Sequence, residues 1–312
     1  MKHDTIVTVL LVFLFLAAQI VGLFILSKSI NIEKTIDESG NEKIIVNYSE
    51  VITGRPETTG SVSFLYILAS VFIGTLLLLL LVKLKLNKVW KVWFLLAVGL
   101  TLTITFNVFF NPVISLVLGF LLAIIKVYKP NFITHNIAEV LMYSGIAILI
   151  VPMFDITWII ALLIAISIYD FIAVFKSKHM ITLAKFQSGE KMFAGLVIPY
   201  EKHEDKKETK TKIKIQVPTH ITGESETGVR TAILGGGDIA FPLIFAGVVM
   251  SKLLESGNIT KLAALEKTLL IPAFAAIGLI ILLYLSKKDK FYPAMPFISA
   301  GCLAGYGIIQ LL

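Results

Sequence analysis

Residues Ile156–Phe175 read ITWIIALLIAISIYDFIAVF, twenty residues that carry a single charge, Asp170, near the end. About 20 apolar residues at ~1.5 Å of helix rise each match the ~30 Å hydrocarbon core of a bilayer. The whole 312-residue chain has this character: it is 56% hydrophobic and 16% charged, with mean hydropathy +0.86. A soluble domain carries about 25% charged residues. A soluble enzyme, a disordered chain and a nucleic-acid module are therefore excluded. The formal charge of +7 sits largely on lysines flanking apolar runs, where it orients spans and calls for no nucleic-acid partner. Cys302 is the single cysteine, which leaves no internal disulfide and no CxxC site.

Segmentation by apolar length predicts an all-α polytopic membrane protein with nine spans. They are Thr5–Leu26, Val62–Val82, Val92–Phe110, Val113–Val127, Ile137–Val151, Ile156–Phe175, Thr231–Ser251, Leu262–Leu285 and Pro293–Leu312. The first is too long for a signal-peptide core and lacks a clean small-x-small cleavage site, so it reads as a retained span. Counting Lys and Arg with the N-terminus in the cytoplasm gives 21 inside and 7 outside. Without the long loop that carries eleven of them, the inside count is 10, and the bias holds. The expected localisation is an integral multi-pass cell membrane protein, N-terminus inside and C-terminus outside.

Two connections are long. Ser27–Ser61 carries a turn signal at Ser39-Gly40-Asn41 and falls outside. The cytoplasmic loop 176–230 divides a six-span part (1–175) from a three-span part (231–312) within one membrane domain. Inside that loop Glu201–Lys210 is a solvated charge cluster, and Lys210–Val217 alternates as a short strand with Ile213, Ile215 and Val217 on one face.

A charge inside a span costs roughly 2.5–3.5 kcal/mol on insertion scales, so each one needs a reason. Asp155 reads as a helix N-cap before Ile156. Glu139 lies close enough to the inner end of span five to reach the headgroups, and Glu266 and Lys267 sit near an outer end. Asp170 and Asp238 have no such excuse. Asp170 is six residues before Lys176 and Asp238 eight after Arg230, ~9 and ~12 Å of helix rise, on spans running in opposite directions. Both carboxylates fall at similar depth near the cytoplasmic side. Like charges at close range cannot both ionise cheaply, so such a pair shares a proton, titrates as a unit, and can polarise water while protonating a carbonyl. A buried structural Asp and a transporter's proton relay remain alternatives at this point. His3, His135, His179, His203 and His220 show no metal-ligand spacing, and neither metal nor cofactor is expected.

Gly235, Gly236 and Gly237 precede Asp238, and each costs about 1 kcal/mol against alanine in a helix interior. They either admit close helix contact or let the helix start loosen for water and an extended peptide. Pro242 weakens the helix one turn later, and Pro293-Ala294-Met295-Pro296 opens the last span without a normal helical turn.

Taken together, Tyr169-Asp170, Gly235-Gly236-Gly237-Asp238 and Pro293-Ala294-Met295 resemble, in order, the YD, GxGD and Pro-Ala-Leu motifs of the presenilin and signal peptide peptidase family of intramembrane aspartyl proteases. The sequence after Asp170, nine spans and the inside N-terminus look closer to presenilin than to signal peptide peptidase. The compact chain with its basic loops resembles an archaeal member. Met295 for Leu is a departure that bears on side-chain packing. The resemblance implies a catalytic pair, Asp170 and Asp238, acting through water on transmembrane-helix protein substrates within the lipid bilayer. It also implies that Tyr169, Gly235, Gly236, Gly237, Pro293, Ala294 and Met295 shape the site. A homo-oligomer is compatible with it. Two further expectations concern the loop. A strand from Lys212–Val217, or from residues just before span seven, pairs with the unwound substrate; and Met192–Pro199 is a candidate segment for self-cleavage. A proton-coupled transporter using the same aspartates is the rival reading.

Overall fold

The computed structural model describes residues 5–36, 42–51, 54–56, 58–177, 193–201, 229–257, 259–286 and 292–312. Among the described residues ten α-helices follow in order: α1 (Thr5–Ser29), α2 (Ser61–Lys83), α3 (Asn87–Phe106), α4 (Pro112–Tyr128), α5 (Phe132–Ile150), α6 (Ile156–Ile172), α7 (Gly236–Glu255), α8 (Lys261–Thr268), α9 (Leu270–Leu285) and α10 (Met295–Leu311). Among the described residues, seven helical segments are long and apolar enough to cross a membrane, with α8 and α9 counted as one. α4 and α10 are apolar but have 17 residues each, ~26 Å of rise, a few ångströms short of the hydrocarbon core.

Caps fix the breaks between helices. Asn111 accepts from the Ile114 N–H at 3.0 Å with Pro112 as the first helical residue. Asn131 and Thr134 form a capping box, and the Asp155 carboxylate accepts from the Trp158 N–H at 2.9 Å, the capping role its position suggests. In lipid, where helices gain nothing from excluding water, small residues allow backbone contact. A Cβ on Gly278 or on Gly301 would fall 2.3 Å from the carbonyl oxygen of Phe297 or Phe274, so α9 and α10 pack backbone to backbone.

α7 is the hub. Its residues Pro242–Ser251 are buried, and it touches α1, α5, α6, α9 and α10. Those contacts join the parts of the chain before and after the long loop into one body.

Two β-hairpins correct the all-α expectation. β1 (Ile30–Ile36) pairs antiparallel with β2 (Glu42–Tyr48), from Ile30 opposite Tyr48 to Ile36 opposite Glu42. β3 (Gly195–Glu201) pairs with β4 (Val229–Gly235), from Gly195 opposite Gly235 to Glu201 opposite Val229. They sit at opposite ends of α7. Tyr48 in β2 bonds Ser251 near the C-terminal end at 2.6 Å, whereas β4 runs directly into the first residue, Gly236.

Thr231–Gly235 is thus strand, although apolar length places it in span seven. β-branched Thr231 and Ile233 suit a strand, and the glycines that follow break the run. Leu269 separates α8 from α9 within the expected eighth span. The alternating strand at Lys210–Val217 and the charges Lys202–Lys210 lie outside the described residues.

Candidate active site

Asp170 lies in the last turn of α6, which continues as a π-helical turn over Ala173–Ser177. The carbonyl end of a helix is the wrong end for a carboxylate. A second helix compensates: the Met295 N–H, first in α10, donates to Asp170 Oδ2 at 3.1 Å. Pro296 follows and has no N–H to offer. Pro293-Ala294-Met295 therefore does not act as loose backbone; it aims the amino end of α10 at Asp170.

Asp238 occupies the first turn of α7, on the favourable end of its own helix, and its carboxylate takes a backbone hydrogen bond from Gly235, the N-cap. Both residues are half-buried, and Asp170 is near enough for its charge to act on Asp238. Of the eight residues after Arg230, five are strand and not the helix that depth counting assumes, yet the strand-to-helix junction still brings Asp238 to Asp170.

The three glycines differ. Gly235 has φ −61° and ψ 145°, which any residue adopts, so backbone freedom is not what this junction requires. A Cβ on Gly235 would lie 3.1 Å from Asp238 Oδ2; on Gly236, 2.9 Å from the Tyr143 hydroxyl; on Gly237, no nearer than 3.7 Å to anything, an ordinary contact. Close approach is the demand at the first two. One turn on, Pro242 removes a helical N–H, and the Gln19 side chain on α1 donates to the Ile239 carbonyl at 2.8 Å.

Tyr169 points elsewhere. Its hydroxyl shares a hydrogen bond with Thr75 on α2 at 3.0 Å, and its ring meets Phe72 edge-on at 5.7 Å. Beside Asp170 an apolar groove of about 430 Å³ opens between α6 and α10, lined by Ile168, Phe171, Pro296, Ala300 and Leu303, with Ser167 donating to Ser299 at 2.9 Å.

The hairpin is held by α5. Asn136 bonds both the N–H and the C=O of Val197, at 3.0 and 2.9 Å, and His135 Nε2 meets the Gly195 carbonyl at 2.9 Å. Hydropathy counting missed these residues, and it misplaced Glu139. Glu139 does not reach the headgroups. It is wholly buried, bonded to Lys126 on α4 and to Tyr143, because α5 begins at Phe132 and carries Glu139 two turns inward. Among the described residues no cluster of His, Cys, Asp and Glu could hold a metal ion.

A helical bundle bringing a YD, a GGGD and a PAM segment to one place defines a class. The signal-peptide peptidase and presenilin aspartyl protease model matches residues 43–312, and the chain belongs to that family. Two solved structures share the fold. A presenilin family intramembrane aspartate protease in space group C222 aligns with TM-score 0.62 at 16% identity, covering 97% of this chain and 98% of that one. A presenilin family intramembrane aspartate protease in space group P2 gives TM-score 0.56 at 17% identity, covering 96% of each. Among curated proteins nothing matches. The protein is an aspartyl protease of the intramembrane kind, and the transporter reading finds no support.

Proposed function

We propose that this protease hydrolyses peptide bonds within transmembrane helices of other membrane proteins, with Asp170 and Asp238 as its catalytic pair. The observation that carries this reading is the convergence of the three motifs, with the amino end of α10 on one aspartate and the amino end of α7 on the other. The anionic member polarises water towards the scissile carbonyl, the protonated member donates to the carbonyl oxygen, and the pair titrates as a unit. Nine spans follow from apolar length, and the cytoplasmic placement of the N-terminus and the 176–230 loop follows from the charge count. The groove between α6 and α10 offers an apolar approach to Asp170 from the lipid side.

An unwound substrate needs partners for its backbone in lipid. Alternate rungs of an antiparallel pair point outward. On β3 the outward rungs include Gly195 and Val197, already bonded by His135 and Asn136, and Pro199, which has no N–H. The opposite edge, the outward groups of Ile233 and Thr231 on β4, has no partner among the described residues. β4 is thus the edge to which an extended substrate adds, ending beside Asp238. Thr231→Pro, directly across from Pro199, removes one outward donor and is expected to slow cleavage about tenfold while the protein stays folded; wild-type turnover would sink the strand-addition idea. Self-cleavage at Met192–Pro199 would require the hairpin to open, because Gly195–Ile198 are buried in β3.

The catalytic reading is tested with purified protein and a labelled single-span substrate. Wild type is expected to release product, and Asp170→Asn and Asp238→Asn each to release none. Product from either variant contradicts the assignment.

A further inference from the structure

The charges that the catalytic pair leaves unused form a second cluster, on α4 and α5. Lys126 donates to Glu139 Oε1 and the Tyr143 hydroxyl donates to Glu139 Oε2, so both carboxylate oxygens are engaged. Glu139, Tyr143 and Lys126 are all buried, and Lys126 Nζ stands 5.4 Å from the centre of the Phe94 ring on α3. His135 Nε2 is 3.8 Å from Glu139 Oε1 while it contacts the Gly195 carbonyl. Tyr143 carries this cluster to the glycine segment. A Cβ on Gly236 would lie 2.9 Å from the Tyr143 hydroxyl, 3.2 Å from its Cε1 and 3.3 Å from the Ala194 carbonyl oxygen. The Gly236 N–H donates to that same Ala194 carbonyl at 3.2 Å.

We infer that Lys126, Glu139 and Tyr143 form a positioning strut that fixes the backbone at Gly236, and through it the Asp238 carboxylate two residues on, given Asp238 as a member of the catalytic pair. A buried ion pair is a poor source of stability, since an apolar pair of the same volume fills the space without desolvating two charges. What it supplies is direction. With Oε1 held by Lys126, Oε2 accepts from Tyr143 in one orientation, and the phenol cannot swing away from the junction. The backbone at Gly236 is then confined between the phenol and the Ala194 carbonyl. The same contact accounts for the middle residue of Gly-Gly-Gly-Asp: the phenol occupies the space a side chain would need. Glu139 and Lys126 act on Gly236 through Tyr143, and none of the three is a catalytic residue.

The test uses the full chain in detergent or bilayer with the labelled single-span substrate, reading kcat and KM separately. Tyr143→Phe keeps the ring and loses the hydroxyl; kcat is expected to fall about tenfold with KM within twofold, because Asp238 is misplaced while substrate docking is not. Gly236→Ala should also lower kcat, and by more than Gly237→Ala, where the space is open. Combined, Tyr143→Phe and Gly236→Ala should cost less than the product of their separate losses, since removing the hydroxyl relieves part of the clash. Wild-type kcat in Tyr143→Phe overturns the strut, as does full multiplication of the two losses. The ranking of the two glycine variants is read without any change at Tyr143, so a poorly folding Tyr143→Phe still leaves a decisive comparison: equal losses at Gly236 and Gly237 overturn the strut. Asp238→Asn in the same assay separates this idea from its premise. If that variant is active, the catalytic reading fails; if it is inactive while Tyr143→Phe behaves as wild type, only the strut fails.

Discussion

Two pairs of charges lie within the apolar body, and the fold treats them in opposite ways. Lys126 and Glu139 are of opposite sign, buried, and bonded to each other and to Tyr143. Asp170 and Asp238 are of like sign and half-buried; each leans on backbone N–H groups at a helix start, with no buried cation bonded to either among the described residues. The first pair is closed and satisfied, as a structural element needs to be. The second is left with acceptor capacity and access, as chemistry on water needs it to be. An intramembrane charge therefore signals function by how it is left unpaired, not by its presence alone.

The sharpest way to break the comparison is to remove one member from each pair. Lys126→Met strands a buried carboxylate, and an unfolding measurement should show a loss of about 3–5 kcal/mol. Asp170→Asn removes a carboxyl group that cannot ionise alongside Asp238 and strands no opposite charge, so stability should stay within about 1 kcal/mol of wild type or rise, while cleavage stops. Similar losses in both would erase the distinction. Adding Glu139→Gln to Lys126→Met should recover most of the stability, since no charge is then stranded.

A smaller effect is expected where α5 grips the hairpin. Asn136→Ala deletes two hydrogen bonds to Val197 and exposes no charge; a loss of about 1–3 kcal/mol, with slower cleavage, is expected. Unchanged unfolding would mean that β3 is held by its apolar contacts alone. Smallest of all is the exposed pair of Lys252 and Glu255, 3.1 Å apart on α7. Lys252→Ala should shift stability by less than about 0.5 kcal/mol, with any shift fading in salt.

Much of the bundle could be read from the sequence because apolar length is a strong signal in lipid, where each span must satisfy its own backbone. Asp155 and Asn111-Pro112 cap helices where local sequence alone places the breaks. The hairpins escaped for different reasons. β1 and β2 flank the Ser39-Gly40-Asn41 turn signal, and the alternation of Ile44, Val46 and Tyr48 was there to be used. β4 merges with an apolar run, so hydropathy cannot separate strand from span; only Gly235–Gly237 mark the change. Glu139 was misjudged because polar His135 and Asn136 make span five look as if it begins at Ile137, whereas the Asn131 cap starts the helix at Phe132. Gln19, a lone amide in an apolar helix, was a visible signal whose partner, the Ile239 carbonyl, lies 220 residues away.

The central claim is that Asp170 and Asp238 cleave a peptide bond inside a membrane span. Its most direct test is mass spectrometry of the products from a single-span substrate incubated with the purified protein. Wild type should yield two fragments whose masses sum to substrate plus one water, cut within the span towards the end facing the β3–β4 hairpin, with neither fragment from Asp170→Asn or Asp238→Asn. Fragments from either variant, or a cut confined to the substrate's soluble flanks, would contradict the account.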